Sequence, residues 1–164
     1  MIRFQALNRL NALYINKVET FSKYSIVKLI FLTVAIEFSV SIIFSLWLFP
    51  NHTAGPIFDS KKEAFIIAVF LAPLIETLIF QYSIISSFLE KRPKAFLFAC
   101  IFSALLFGLS HFYSSVYILK TFISGLLFGT LYLVVSQKKQ NAFIAVVIAH
   151  ALYNLIVFCG KFFF

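Results

Sequence analysis

Apolar residues along the chain fall into long blocks that are nearly free of charge, rather than alternating with polar residues. Five blocks have roughly the 20 residues that an α-helix needs to cross a bilayer. They run from Val27 to Phe49, Ala64 to Leu89, Ala95 to Phe112, Tyr117 to Val135 and Ala142 to Cys159. Short segments that contain turn-forming or charged residues separate them. The pattern predicts an all-α fold, a polytopic transmembrane helix bundle of about five spans.

Composition indicates the same class of protein. Hydrophobic residues make up 62% of the chain and charged residues only 12%, and the mean hydropathy is +0.97. A typical soluble domain carries about 25% charged residues. The sequence has no Gly-rich phosphate loop, and it has no basic surface interleaved with aromatic residues, which a nucleic-acid partner would require. We therefore expect an integral membrane protein whose immediate partners are lipids.

The basic residues are distributed unequally between the two sides of the predicted membrane. The chain has fourteen Lys and Arg against six Asp and Glu. Four of the basic residues fall on the side opposite the N-terminus, namely Lys61, Lys62, Lys120 and Lys161, and the other ten fall on the N-terminal side. Because cytoplasmic segments collect Lys and Arg, this bias predicts a cytoplasmic N-terminus. We expect the protein in the bacterial inner (cytoplasmic) membrane.

Residues 1–26 form a separate, more polar segment. Apolar side chains recur in it at spacings of three and four, at Leu7, Leu10, Tyr14, Val18 and Phe21. Such a stripe, with basic residues beside it, is typical of a helix lying on an anionic leaflet, although a solvated basic tail is the alternative. The sequence thus predicts a basic amphipathic interfacial segment at 1–26, followed by one transmembrane domain at 27–164.

Four acidic or histidine side chains lie within or at the end of the predicted spans: Glu37, Glu76, His111 and His150. A charge near the bilayer centre costs about 2.5 to 3.5 kcal/mol on insertion scales, so such residues usually face one another or a wet cavity. A single histidine in a span is more often a neutral imidazole bonded to a neighbouring helix than a site residue.

Companion residues at helical spacing strengthen the case for a site, because residues four positions apart share a helix face. The pairs are Phe107 with His111, His150 with Asn154, and Thr77 with Gln81, next to Glu76. If the three helices face one cavity, they present a carboxylate, two imidazoles and an amide. That set can hold a water molecule, deprotonate it and stabilise an oxyanion, with or without a metal.

Gly125 and Gly129 form a GxxxG pattern, which is typical of close helix packing and offers a contact within the bundle or between copies of the chain. Cys100 and Cys159 lie in separate predicted spans, so we interpret them as small apolar residues rather than as a disulfide or metal pair.

Three segments resemble the motifs of the CPBP intramembrane proteases, which include the type II CAAX prenyl endopeptidases and bacterial Abi-type proteins. They are "APLIETLIFQ" with Glu76, "FGLSH" from Phe107 to His111 and "HALYN" from His150 to Asn154. The family's motifs are a double Glu followed by Arg, then Phe-x-x-x-His, then His-x-x-x-Asn or Asp. The last two motifs are intact, and the resemblance places a protease-like core at about 64–160.

The first motif departs from the family pattern, because Thr77 stands at the second Glu and Gln81 at the Arg. Both charges of an opposite pair are absent together, so the net charge is unchanged. We interpret this as the replacement of a structural ion pair by a hydrogen-bonding couple that leaves Glu76 in place. Decay into a non-catalytic relative is the alternative.

The resemblance implies a role for each site residue. Glu76 would be the general base that activates water, and His111 and His150 would position that water. Asn154 would polarise the scissile carbonyl, and Thr77, Gln81 and Phe107 would support the site. No cofactor is certain, but if the reaction needs a metal, zinc would be bound by Glu76, His111 and His150, which resemble a three-ligand site.

The function predicted from these observations is that of an intramembrane endopeptidase that acts on a peptide or a membrane protein. The alternative is a catalytically silent scaffold or a bacteriocin-immunity-type protein of the same fold. A proton or cation path through Glu37, Glu76 and the two histidines is a third reading, but the chain has no visible inverted repeat or pair of broken helices.

Overall fold

The computed structural model describes residues 2–52 and 54–163, with side chains described from Gln5 onwards. The helices are α1 (Ile2–Phe21), α2 (Ile26–Leu48), α3 (Lys61–Lys91), α4 (Phe96–Ser110), α5 (Ser115–Gln137) and α6 (Ala142–Phe163). All regular elements of the described part are helical, which confirms the predicted polytopic bundle. Helices α2, α3, α5 and α6 are long and apolar enough to cross a membrane, whereas α4 is a shorter apolar helix.

Serine residues mark the start of three of the long helices. Ser25, Ser60 and Ser114 each adopt an extended backbone and accept a hydrogen bond from an N–H in the first turn of α2, α3 and α5. An N-cap of this kind satisfies one of the donors that the first turn leaves unpaired, typically contributing about 1 kcal/mol. The apolar blocks therefore become helices that begin at defined residues.

Helix α3 is not a regular α-helix along its length. α-Helical segments at Lys61–Ala64, Ala72–Glu76 and Ile85–Lys91 alternate with π-helical segments at Phe65–Leu71 and Thr77–Ile84. π-Helical turns are rare in proteins, and those that occur are often found at functional sites. Glu76 is the last residue of the central α-helical segment, directly before the second π segment.

The two glycines of the GxxxG pattern hold α5 close to α4. A Cβ on Gly125 would lie 2.9 Å from the Cα of Ala104, and one on Gly129 would lie 2.9 Å from the Sγ of Cys100. At Gly125 the contact is with backbone, so a side chain there would force the helices apart, whereas at Gly129 the Cys100 side chain would have to move. The prediction that these glycines serve helix packing is thus confirmed within the bundle.

Helix α1 packs against α4 and α5. Val18 is buried, and the Tyr14 hydroxyl lies 2.7 Å from Thr130 Oγ1 of α5. Leu7 and Leu10, from the same predicted stripe, remain exposed. The stripe is therefore divided between the bundle and the surroundings, and the contact of its exposed part with lipid stays a prediction.

Candidate active site

The position of Glu76 depends on a break in the hydrogen bonding of α3. In the first π segment, the N–H of Ala72 donates to the carbonyl of Ile67, five residues back. In that register the next N–H would donate to the carbonyl of Ala68. Residue 73 is proline, which has no N–H, so that carbonyl needs another donor.

Asn154 of α6 supplies this donor. Its Nδ2 donates to the Ala68 carbonyl at 2.7 Å. Burying a carbonyl without a partner would cost about 1 to 3 kcal/mol, so the amide stabilises the irregular backbone of α3 before Glu76. One N–H of the Asn154 amide is used in this way, and its second N–H has no hydrogen-bond acceptor among the described residues.

Three helices bring their ionisable side chains together at one point. Glu76 Oε1 lies 3.7 Å from His111 Nε2, and Glu76 Oε2 lies 3.8 Å from His150 Nε2. The side chains of His150, His111 and Glu76 are 6%, 16% and 24% exposed. The carboxylate therefore sits between the two imidazoles and is the most accessible group of the three.

The orientation of His111 follows from its hydrogen bonds at the end of α4. Its Nδ1 lies 2.7 Å from the Phe107 carbonyl, which can only accept, so Nδ1 carries the hydrogen. In the neutral ring, Nε2 then has a lone pair directed towards Glu76 Oε1. An ionised carboxylate and this nitrogen are both acceptors, so they do not bond to each other directly, and a water beside them can donate to both.

Aromatic contacts hold His150 in place. Its ring stacks on Phe128, with centroids 4.6 Å apart, and makes an edge contact with Phe107 at 6.0 Å. Phe107 also lies against the His111 ring at 4.7 Å, so one buried phenyl ring contacts both histidines. The sequence identified Phe107 through its spacing from His111 and the motif that the two share, but it did not predict the contact with His150.

Thr77 and Gln81 lie next to the site, but they do not bond to each other. Both side chains are completely buried, and Thr77 Oγ1 and both polar atoms of the Gln81 amide have no hydrogen-bond partner among the described residues. The interpretation of this pair as a hydrogen-bonding couple is therefore wrong, because a spacing of four fixes the shared helix face but not the side-chain torsions. His150 Nδ1 is also buried and has no hydrogen-bond partner in the described part of the chain.

The three ionisable groups do not form a metal centre as they are placed. The near contacts of Glu76 with the two imidazoles are made by different carboxylate oxygens, one to each ring. Ligands of tetrahedral zinc lie about 2.0–2.2 Å from the metal and hence about 3.4 Å from one another. Across the described ranges, no three His, Cys, Asp or Glu side chains are arranged to hold a metal ion. The residues do not fit a three-ligand zinc site.

A second buried polar group lies outside this site. Glu37 of α2 is completely buried and accepts a hydrogen bond from the Ser124 hydroxyl of α5. Its other carboxylate oxygen has no partner within the described chain. Ser124 belongs to no motif in the sequence, and only the packing of α2 on α5 brings it next to Glu37.

Two further contacts of the site were not predictable from the motifs. Ser103 of α4 donates to the Phe80 carbonyl in the second π segment of α3, at 2.9 Å. The Tyr117 ring of α5 stacks on His111, with centroids 6.0 Å apart. Both residues are ordinary members of apolar spans, so no signal in their spacing distinguishes them.

Comparison with known proteins yields one family. A model described as type II CAAX prenyl endopeptidase Rce1-like matches residues 61–156, which is more than half of the chain and includes Glu76, His111, His150 and Asn154. Neither the curated proteins nor the solved structures contain a significant match to the chain.

Proposed function

Because the chain belongs to the Rce1-like family of type II CAAX prenyl endopeptidases, we propose that it is an intramembrane endopeptidase that hydrolyses peptide bonds with a water molecule activated by Glu76. The observation that carries the proposal is the placement of one carboxylate between two imidazoles on three different helices, 3.7 Å and 3.8 Å away. Each of these gaps is longer than a direct hydrogen bond, and a water molecule placed beside the carboxylate can contact both Glu76 and an imidazole.

The two histidines have complementary roles in this proposal. His111 Nδ1 donates to the Phe107 carbonyl, so His111 Nε2 accepts a hydrogen from the attacking water and orients it. The buried Nδ1 of His150 has no partner in the described chain. Unpaired buried N–H groups are rarer than unpaired acceptors, which favours hydrogen on Nε2. His150 then donates to the oxyanion that forms at the scissile carbonyl.

The proton transfers balance without another reactant. Glu76 removes a proton from water, and the resulting hydroxide attacks the carbonyl carbon to form a tetrahedral intermediate. When the C–N bond breaks, protonated Glu76 returns its proton to the leaving amine. One hydrogen of the Asn154 amide is bonded to the Ala68 carbonyl, which fixes the orientation of the amide. The other hydrogen is the donor that would polarise the scissile carbonyl.

The test is cleavage of a quenched peptide library by the purified, detergent-solubilised protein. Glu76→Gln keeps the shape of the side chain but removes the base, so we expect kcat/KM to fall by about 10²- to 10⁴-fold. Glu90→Gln is the matched control, since Glu90 is an exposed acid on the same helix, and its activity should stay within about twofold of the wild type.

The outcomes separate the enzyme from a silent relative. Equal cleavage by the wild type and Glu76→Gln would contradict the mechanism. A folded wild-type protein that cleaves no member of the library would favour the scaffold function instead. A chelator arm tests the predicted zinc independently, because loss of activity with chelator and recovery with zinc would require a metal that the present side-chain positions do not accommodate.

A further inference from the structure

A groove lies where α1 meets the segment between α3 and α4, away from the proposed active site. One wall is formed by Leu7, Asn8 and Asn11 of α1, and the groove has a volume of about 720 Å³. This volume lies within the range of ordinary small-molecule sites, about 300 to 1,000 Å³. Nothing in the proposed protease mechanism uses this part of the molecule.

The groove combines cations with apolar surface. Arg92 and Lys94 line it and are both exposed, and none of the described residues that line it is acidic. The rest of the lining is mainly apolar and includes Phe88 at the end of α3 and Phe98 at the start of α4. Two positive charges beside apolar surface, where the membrane-length helix α3 ends and the apolar helix α4 begins, match a molecule with an anionic head and an apolar tail.

The groove is held in shape by a polar contact. Asn11 Nδ2 donates to the Lys94 carbonyl at 2.7 Å, and Asn11 Oδ1 accepts from the Leu97 N–H at 3.0 Å. These two bonds fix α1 to the backbone that carries both cations. A preformed site needs little ordering on binding, which favours affinity.

We propose that this groove, the α1 groove, binds one anionic phospholipid. The headgroup phosphate lies between Arg92 and Lys94, and the upper acyl chains lie against Leu7, Phe88 and Phe98. Basic pockets at the ends of membrane helices are a recurring type of lipid-headgroup site. A soluble phosphate compound would pair with the cations but would leave the apolar walls of the groove uncovered. An anionic lipid satisfies both parts of the lining.

The test is native mass spectrometry of the delipidated full-length protein in detergent, titrated with phosphatidylglycerol or with phosphatidylcholine of the same acyl chains. We expect one tightly bound phosphatidylglycerol and at least tenfold weaker binding of phosphatidylcholine. A double variant with Arg92→Gln and Lys94→Gln should weaken phosphatidylglycerol binding about thirtyfold, since two surface cations are removed.

A matched control separates a site from general charge attraction. The pair Lys91→Gln and Lys139→Gln removes the same charge from exposed positions that do not line the groove. This variant should bind phosphatidylglycerol within about threefold of the wild type. Equal losses in the two double variants, or equal binding of the two lipids, would overturn the proposal.

Two further arms distinguish a lipid from a free anion. Leu7→Ser changes an exposed apolar residue of the groove and should weaken phosphatidylglycerol binding severalfold without altering the melting temperature of the lipid-free protein. Inorganic phosphate at millimolar concentration should not displace the lipid. Displacement by phosphate, together with no effect of Leu7→Ser, would mean a simple anion site and would overturn the assignment to lipid. Because the readout is binding, the result does not depend on peptidase activity.

Discussion

Among single residues, Asn154 connects the backbone of α3 with the proposed chemistry. Its Nδ2 donates to the Ala68 carbonyl, which Pro73 leaves without a helical donor. Asn154→Ala should therefore lower the free energy of unfolding by about 1 to 3 kcal/mol. In a Pro73→Ala background the new N–H can take over the carbonyl, so the same substitution should cost less.

A double-mutant cycle, measured by reversible unfolding in detergent micelles, gives the coupling between the two positions. We expect a coupling of about 1 kcal/mol, as for other residues that share a partner. If Asn154→Ala costs the same in both backgrounds, the amide is not a substitute for the missing N–H. The cycle concerns stability and is independent of the peptidase assay.

Gln81 gives a second prediction for a single residue. Its amide is fully buried and makes no hydrogen bond to the described residues. Replacing an unsatisfied buried amide by an apolar group of similar shape removes a desolvation penalty, so Gln81→Met should raise the free energy of unfolding by about 1 to 2 kcal/mol. Exposed Gln137 is the control, and Gln137→Met should leave stability within about 0.5 kcal/mol.

The stability measurement also tests whether Gln81 supports the site. If Gln81→Met lowers stability, the amide has partners such as buried water that satisfy it. If stability rises but kcat/KM falls more than tenfold, the amide acts in the substrate complex. Retained activity with increased stability would mean that the position of the family's Arg is dispensable in this chain.

Among pairs of elements, α4 and α5 make the closest contact near the site. A Cβ on Gly125 would lie 2.9 Å from the Cα of Ala104 and 3.1 Å from the Phe107 ring, which contacts both histidines. Gly125→Ala should lower the free energy of unfolding by about 1 to 3 kcal/mol, because the helices have to move apart. Since Phe107 moves with α4, peptidase activity should fall as well.

Gly160 in α6 is the control for this substitution, because a Cβ there would meet no atom of the described residues within 4 Å. Ala has a higher helix propensity than Gly by about 1 kcal/mol, so Gly160→Ala should be neutral or stabilising. Thermal unfolding of the two variants in the same detergent compares them directly. A Gly125→Ala protein as stable and active as Gly160→Ala would contradict the packing argument.

The elements also differ in how far the sequence predicted them. The helices follow from the apolar blocks, because a segment in hydrocarbon has to satisfy its own backbone groups. The π segments of α3 were not predicted, since they depend on Pro73 together with donors from other helices, Asn154 and Ser103. Likewise, the motifs identified Glu76 and both histidines, but the Ser124 contact to Glu37 requires the packing of α2 on α5.

For the molecule as a whole, the orientation in the membrane follows from charge and from the number of crossings. Helix α4 has 15 residues, about 22 Å, which is less than the hydrocarbon thickness of about 30 Å. If α4 still crosses, the segment after α5 lies on the side of the N-terminus. If it does not cross, that segment lies on the opposite side, together with the loop before α3.

Labelling with a membrane-impermeant maleimide in intact cells distinguishes these topologies. Lys62→Cys and Lys139→Cys would each be made in a background with Cys100→Ala and Cys159→Ala, the two native cysteines. Ten of the fourteen basic residues lie on the side of Lys139 in the five-crossing arrangement, so that side should be cytoplasmic. We expect position 62 to react in intact cells and position 139 to react only after permeabilisation. Reaction at both positions would mean that α4 does not cross, whereas the reverse pattern would place the N-terminus outside and contradict the charge argument.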